Sequence, residues 1–132
     1  MVSVKFAKGL AHAGSDDALF GRRVGHLLEL VPQKNPLALK AGEALPVLVL
    51  YNGKPLEGAG IEVSNLVDKL PEDQIKRYST DATGIAQVTL RPRGINTLAV
   101  DVERLNDGSL GDAAKALPVD KVLMVATYTF VR

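Results

Sequence analysis

A chain of 132 residues, 46% hydrophobic and 23% charged, has the size and balance of one globular domain, and its apolar share excludes a disordered polypeptide. Sixteen basic against fifteen acidic side chains leave a net charge of +1, which gives no overall field to gather nucleic acid or an anionic membrane. The absence of cysteine removes disulfides, thiolate metal centres and cysteine nucleophiles together, and leaves the compartment open, because a core of this size folds without covalent staples.

No apolar run reaches the ~18 residues that a membrane span needs, and the first residues lack the apolar core of a signal peptide, so no direct membrane insertion is expected. Val2 to Ala7 alternates Val2, Val4 and Phe6 with Ser3 and Lys5, a first strand. From Lys8 to Arg23 the glycines predict a loop, with one helical turn over Asp16 to Phe20 capped by Ser15. Val24 to Val31 predicts a second strand, stopped by Pro32, and Lys40-Ala41-Gly42-Glu43 ends the connection that follows.

Leu45 to Tyr51 is almost wholly apolar, the pattern of a strand covered on both faces, with Pro46 near its start where no ladder donor is needed. Asn52-Gly53 then predicts a tight hairpin turn, since both residues tolerate positive φ. Ile61 to Asn65 alternates as a strand, 66–74 reads as a polar excursion around Pro71, and Ile75 to Thr80 resumes an extended path. Asp81-Ala82-Thr83-Gly84 predicts a second tight turn into Ile85 to Leu90, Asp81 accepting backbone hydrogen bonds and Gly84 turning left-handed. Ile95 to Glu103 and Val122 to Val131 close the series, the latter with Met124, Tyr128 and Phe130 on one face and Thr127 and Thr129 on the other. Asp112 caps a short expected helix over Ala113 to Leu117. The sum is an all-β chain, an antiparallel sandwich of about seven or eight strands forming a single domain over 1–132, its apolar side chains facing inward from two stacked layers and leaving chemistry no preformed pocket.

A connected set of residues carries a resemblance. Gly25-His26-Leu27-Leu28-Glu29-Leu30-Val31-Pro32, Asn35-Pro36, Lys40-Ala41-Gly42-Glu43 and Val47 through Leu56 are followed by Thr80-Asp81, Gly84 and Ala126-Thr127-Tyr128-Thr129-Phe130. Together they resemble the DUF4198 family, whose members are labelled NikM-like, periplasmic components of cobalt or nickel transport. Gly-Lys-Pro-Leu and Thr-Asp-x-x-Gly by themselves recur in many transthyretin-like and carboxypeptidase-regulatory-like sandwiches. The resemblance implies an immunoglobulin-like or prealbumin-like sandwich, a periplasmic or otherwise extracytoplasmic location, and an upstream half with a signal peptide. It further implies, as partners, that upstream half or a transporter protein.

Candidate sites are few. Nickel and cobalt favour converging imidazoles and carboxylates, and the chain has two histidines, His12 in an expected loop and His26 at an expected strand start. They form no His-x-His or His-x-x-His pair, so they are the imidazole candidates without a spacing that builds a site; the expected roles are a solvated loop residue and a histidine bonded to backbone. Asp16-Asp17 diverge as neighbours, and Asn106-Asp107-Gly108-Ser109 with Asp112 lacks the spacing and distal Glu of a calcium loop. Arg22-Arg23 and Arg91 with Arg93 carry no interleaved aromatics, which argues against nucleic acid. Gly-x-Ser-x-Gly and the glycine-rich nucleotide motifs are absent, so no catalytic residue is expected. The expectation is a non-catalytic binding or accessory domain, tied to nickel or cobalt uptake, or else a structural sandwich that presents an edge to another protein.

Overall fold

The long apolar run over 44–51 becomes the centre of its sheet. In the computed structural model, which describes residues 2–10, 18–40, 42–65, 75–90, 93–105, 116 and 118–131, it forms β3 (Ala44–Tyr51). On one side β3 pairs antiparallel with β2 (Leu28–Pro32); on the other it pairs with β7 (Ile85–Thr89) and, at its far end, with the two-residue β4 (Lys54–Pro55). A five-stranded sheet faces this one. It contains β1 (Val2–Leu10), β5 (Gly60–Asn65), β6 (Arg77–Ser79), β8 (Ile95–Leu105) and β9 (Lys121–Val131), in the order β1-β9-β8-β5-β6. The described residues thus form nine strands and one short 3-10 turn, Ala18–Gly21, in a nearly all-β sandwich.

The two sheets share one core because alternate side chains of each strand point into the space between them. Leu28 and Leu30, then Leu45, Val47 and Val49, then Ala86 and Val88 come from one sheet; Ile61, Leu98, Val100, Met124, Tyr128 and Phe130 come from the other. Each fully buried Val or Leu contributes about 1.5–3 kcal/mol relative to exposure. Val31, Leu48 and Leu50, of the opposite parity, are buried in a second cluster with Ile85, so β3 is covered on both faces as its composition predicts.

Both predicted turns form. Asn52 and Gly53 have φ of 52° and 76°, the pair of positive angles that a type I′ hairpin requires. At the second, Asp81 Oδ1 accepts from Thr83 N at 2.9 Å, Thr83 Oγ1 at 2.6 Å and Ile85 N at 3.2 Å, while Gly84 turns at φ 79°. The hydroxyl and amides of the loop hold the Asp81 carboxyl below the usual aspartate range. The two turns also lock together. Thr80 Oγ1, buried, donates to Leu56 O at 2.6 Å and accepts from Ala59 N at 2.9 Å, and Val49 N donates to Gly84 O. The Gly-Lys-Pro-Leu and Thr-Asp-x-x-Gly segments are therefore two halves of one structural joint.

Three features depart from the sequence reading. β1 pairs with β9 in parallel, from Val2↔Val122 to Leu10↔Phe130, whereas the other strand pairs are antiparallel; no turn links the first strand to the last, so nothing local sets their direction. β1 runs to Leu10 instead of stopping at Ala7, because the ladder with β9 continues. β2 begins at Leu28 instead of Val24, since the preceding segment turns at Gly25 (φ 81°) to aim amides at Glu29. His12, Asp16-Asp17, Pro71, Arg91, Asn106 to Ser109, Asp112 and most of the expected 113–117 helix lie outside the described residues.

Gly84 and Gly53 give a matched test of the joint. A Cβ at Gly84 would lie 2.8 Å from Pro55 Cβ and 3.0 Å from Leu56 N, whereas one at Gly53 meets nothing within 4 Å. Gly53→Ala is expected to cost only the positive-φ penalty of about 1–2 kcal/mol, and Gly84→Ala that penalty plus the clash, about 3 kcal/mol in all. Urea unfolding of the two variants measures the difference, and equal losses would show that the contact with Pro55 is not restrictive.

Candidate functional site

The alternation of β1 sets up an unusual residue. Val4, Phe6 and Leu10 point inward and pack on the core, and Lys8 shares their parity. A lysine aimed at an apolar interior needs acceptors, and three are supplied. Lys8 Nζ donates to Glu29 Oε2 at 2.8 Å, to Arg22 O at 2.9 Å and to Leu30 O at 3.0 Å, and it stands 5.7 Å from the centroid of the Tyr128 ring. Glu29 leaves β2 on the face opposite Leu28 and Leu30, and the 22–27 segment curls over the strand's edge to meet it. Val24 N donates to its Oε2 at 2.8 Å and Gly25 N to its Oε1 at 3.0 Å. The two side chains are 11% and 2% exposed, so this is a largely desolvated ion pair.

The electrostatics follow from that geometry. Burial by itself would raise the Glu29 carboxyl, but the Lys8 hydrogen bond and charge, with the Val24 and Gly25 amides, outweigh it and hold the group below its ordinary 4.5. Tyr128, beside Lys8, is pushed up to about 12 by burial and donates its hydroxyl to Phe20 O at 3.2 Å. All three ammonium hydrogens, both carboxylate oxygens and the phenol are thereby committed within the protein. Such a set holds backbone in place.

Two open clefts flank the segment that the ion pair anchors, where the sequence reading expects no preformed pocket. One, of about 470 Å³, is lined by Ala7, Lys8, Gly9, Leu10, Arg22, Val24, His26 and Tyr128. The other, of about 370 Å³, is lined by Arg23, Gly25, His26, Leu27, Glu29, Leu50, Asn52 and Gly53. His26 belongs to both. Its ring rests on Phe6, with centroids 5.4 Å apart and planes at 35°, where the sequence predicts a bond to backbone. Among the described residues no three His, Cys, Asp or Glu side chains gather, and His12 is not among them. Of the two imidazole candidates only His26 is among the described residues. The site is instead built from Lys8 and Glu29, which the sequence reading passed over. The signal was present: Lys8 falls on the apolar parity of β1, and Glu29 interrupts the run Leu27 to Val31.

The family described as "Domain of unknown function (DUF4198)" matches residues 1–104. The chain belongs to the DUF4198 family. The matched stretch takes in the Lys8–Glu29 pair, both clefts except Tyr128 of the first, and the joint between the two turns, and it stops before β9. No curated protein and no solved structure matches this DUF4198 chain.

The ion pair makes a charge-specific prediction. Lys8→Met strands the Glu29 carboxylate and is expected to destabilise by about 3 kcal/mol. The double variant Lys8→Met/Glu29→Gln removes both charges but keeps an acceptor for the Val24 and Gly25 amides, so it should be the more stable of the two. Because the folded-state value of Glu29 lies below the unfolded one, its contribution is full above pH 4.5 and is lost as pH falls through the lower folded value. Urea midpoints should therefore drop more steeply in acid for the wild type than for the double variant. A double variant no better than Lys8→Met would show that an unpaired charge is not the cause.

Proposed function

We propose that this DUF4198 domain is a non-catalytic, extracytoplasmic interaction module that presents the β1 side of its sandwich to another protein. One observation carries the reading: β1 is a nine-residue strand at the end of its sheet, paired only with β9 among the described residues. An edge of that length is a template for a further strand unless it is blocked. The non-catalytic reading is supported by the commitment of the buried Glu29 and Thr80 to backbone and ion-pair contacts that belong to the fold. The extracytoplasmic placement rests on the NikM-like resemblance, as does the suggestion that the partner is an upstream half of the same protein or a transporter component.

Site-specific photocrosslinking in the native host tests this reading. A benzophenone side chain at Ala7, exposed on β1, should form an adduct with one defined protein, and one at Gln87, exposed on β7, should not. Equal adducts at both positions, or none at Ala7, would remove the proposal.

A second reading, the nickel- or cobalt-linked role that the resemblance implies, has its entry at His26. This half-buried imidazole faces both clefts and has no hydrogen-bond partner among the described residues. Calorimetric titration of Ni²⁺ into the wild type and into His26→Ala is the check. Heat that disappears in the variant supports a metal role, and a flat wild-type titration ends it.

A further inference from the structure

The edges of the sandwich are not treated alike. At β2 the Lys8 ammonium takes Leu30 O and the 22–27 segment folds over the strand, so that edge is covered. β6 is three residues long and pinned to β5 by the Arg77–Glu62 ion pair. Among the described residues β1 has neither covering; its restraint is charge, with Lys8 turned inward and Lys5 outward. It keeps unbroken register with β9 over nine residues, contains no proline, and turns outward only Ser3, Lys5, Ala7 and Gly9, small residues apart from Lys5. The larger of the two clefts lies against four consecutive β1 residues, Ala7 to Leu10, with Arg22, Val24 and His26 forming its other wall.

Among the described residues near that edge the unpaired charges are positive. Glu29 is neutralised by Lys8, which leaves Lys5, Arg22 and Arg23 as exposed cations without a carboxylate partner among the described residues. Arg22 lines the cleft beside β1, Arg23 lines the adjoining one and Lys5 stands on the strand's outer face. A second copy pairing through β1 would set this basic rim against its own image, which like-charge repulsion disfavours. An acidic segment would meet complementary charge. Val24, 50% exposed on the cleft wall, offers an apolar contact to side chains of the other parity.

We infer that β1 accepts an acidic, extended segment of a partner protein as an added strand, its backbone pairing with β1 and its carboxylates facing Arg22 and Arg23. This rests on the interaction-module reading above and names the kind of partner. Main-chain hydrogen bonds supply affinity in such complexes, while alternate side chains supply selectivity.

Three labelled nonapeptides that alternate Val with Glu, Gln or Lys form the test, read by fluorescence anisotropy against the intact chain. The Glu peptide should bind at least about tenfold more tightly than the Gln peptide, and its affinity should fall as salt rises. The charge reversal Arg22→Glu/Arg23→Glu should erase that preference and favour the Lys peptide. A Glu peptide N-methylated at alternate residues should lose binding, because it cannot complete the ladder. If the Gln and Lys peptides bind as well as the Glu peptide and N-methylation still abolishes binding, the edge is a docking strand and the acidic preference is wrong. If no peptide binds, or N-methylation changes nothing, the docking strand itself is wrong. Concentration-dependent dimerisation through β1 would likewise overturn the inference in favour of a second copy.

Discussion

An inward-pointing lysine on an edge strand is the constraint around which one side of this molecule is arranged. Lys8 is carried toward the core by the alternation of β1, and burying its charge without a counter-charge would cost several kcal/mol. Glu29 answers it from the opposite sheet, and the answer reaches further than one ion pair. To saturate the carboxylate, the chain before β2 abandons its strand path and turns two amides inward at Val24 and Gly25. That turn places Arg22, Arg23 and His26 along the open side of the sandwich. The shape of the side surface is a consequence of satisfying one buried charge.

The same pair distinguishes the neighbouring edges. Inward charges are a known means of keeping sheet edges from pairing at random; Lys8 is such a charge on β1 itself, and its ammonium also occupies one carbonyl of β2. β1, the strand that supplies the lysine, stays open on its far side among the described residues. The basic rim beside it follows from the same contact, since the acidic residue that might have offset it is turned to Lys8. Architecture and surface charge thus have a common origin.

At the other end, the Asn52-Gly53 hairpin and the Asp81-to-Gly84 turn form one joint. Thr80 ties Leu56 to Ala59, and Gly84 lies so close to Pro55 that a side chain there would not fit. These residues are demanded by packing. Most of the DUF4198 signature that is legible by eye therefore describes how the chain folds, while the Lys8–Glu29 contact, which shapes the candidate surface, lies partly outside those motifs.

Local pattern by itself determined the strands of the core, the central position of β3, both tight turns and the all-β class. Each of these depends on period-two alternation or on φ preferences that neighbouring residues set. Tertiary structure alone decided the parallel placing of β1 against β9 and the meeting of Lys8 with Glu29. Strand direction is unspecified when no hairpin joins two strands. The partner of a buried charge is likewise fixed only when two sheets stack, because their residues are far apart in sequence and neither one's local pattern refers to the other.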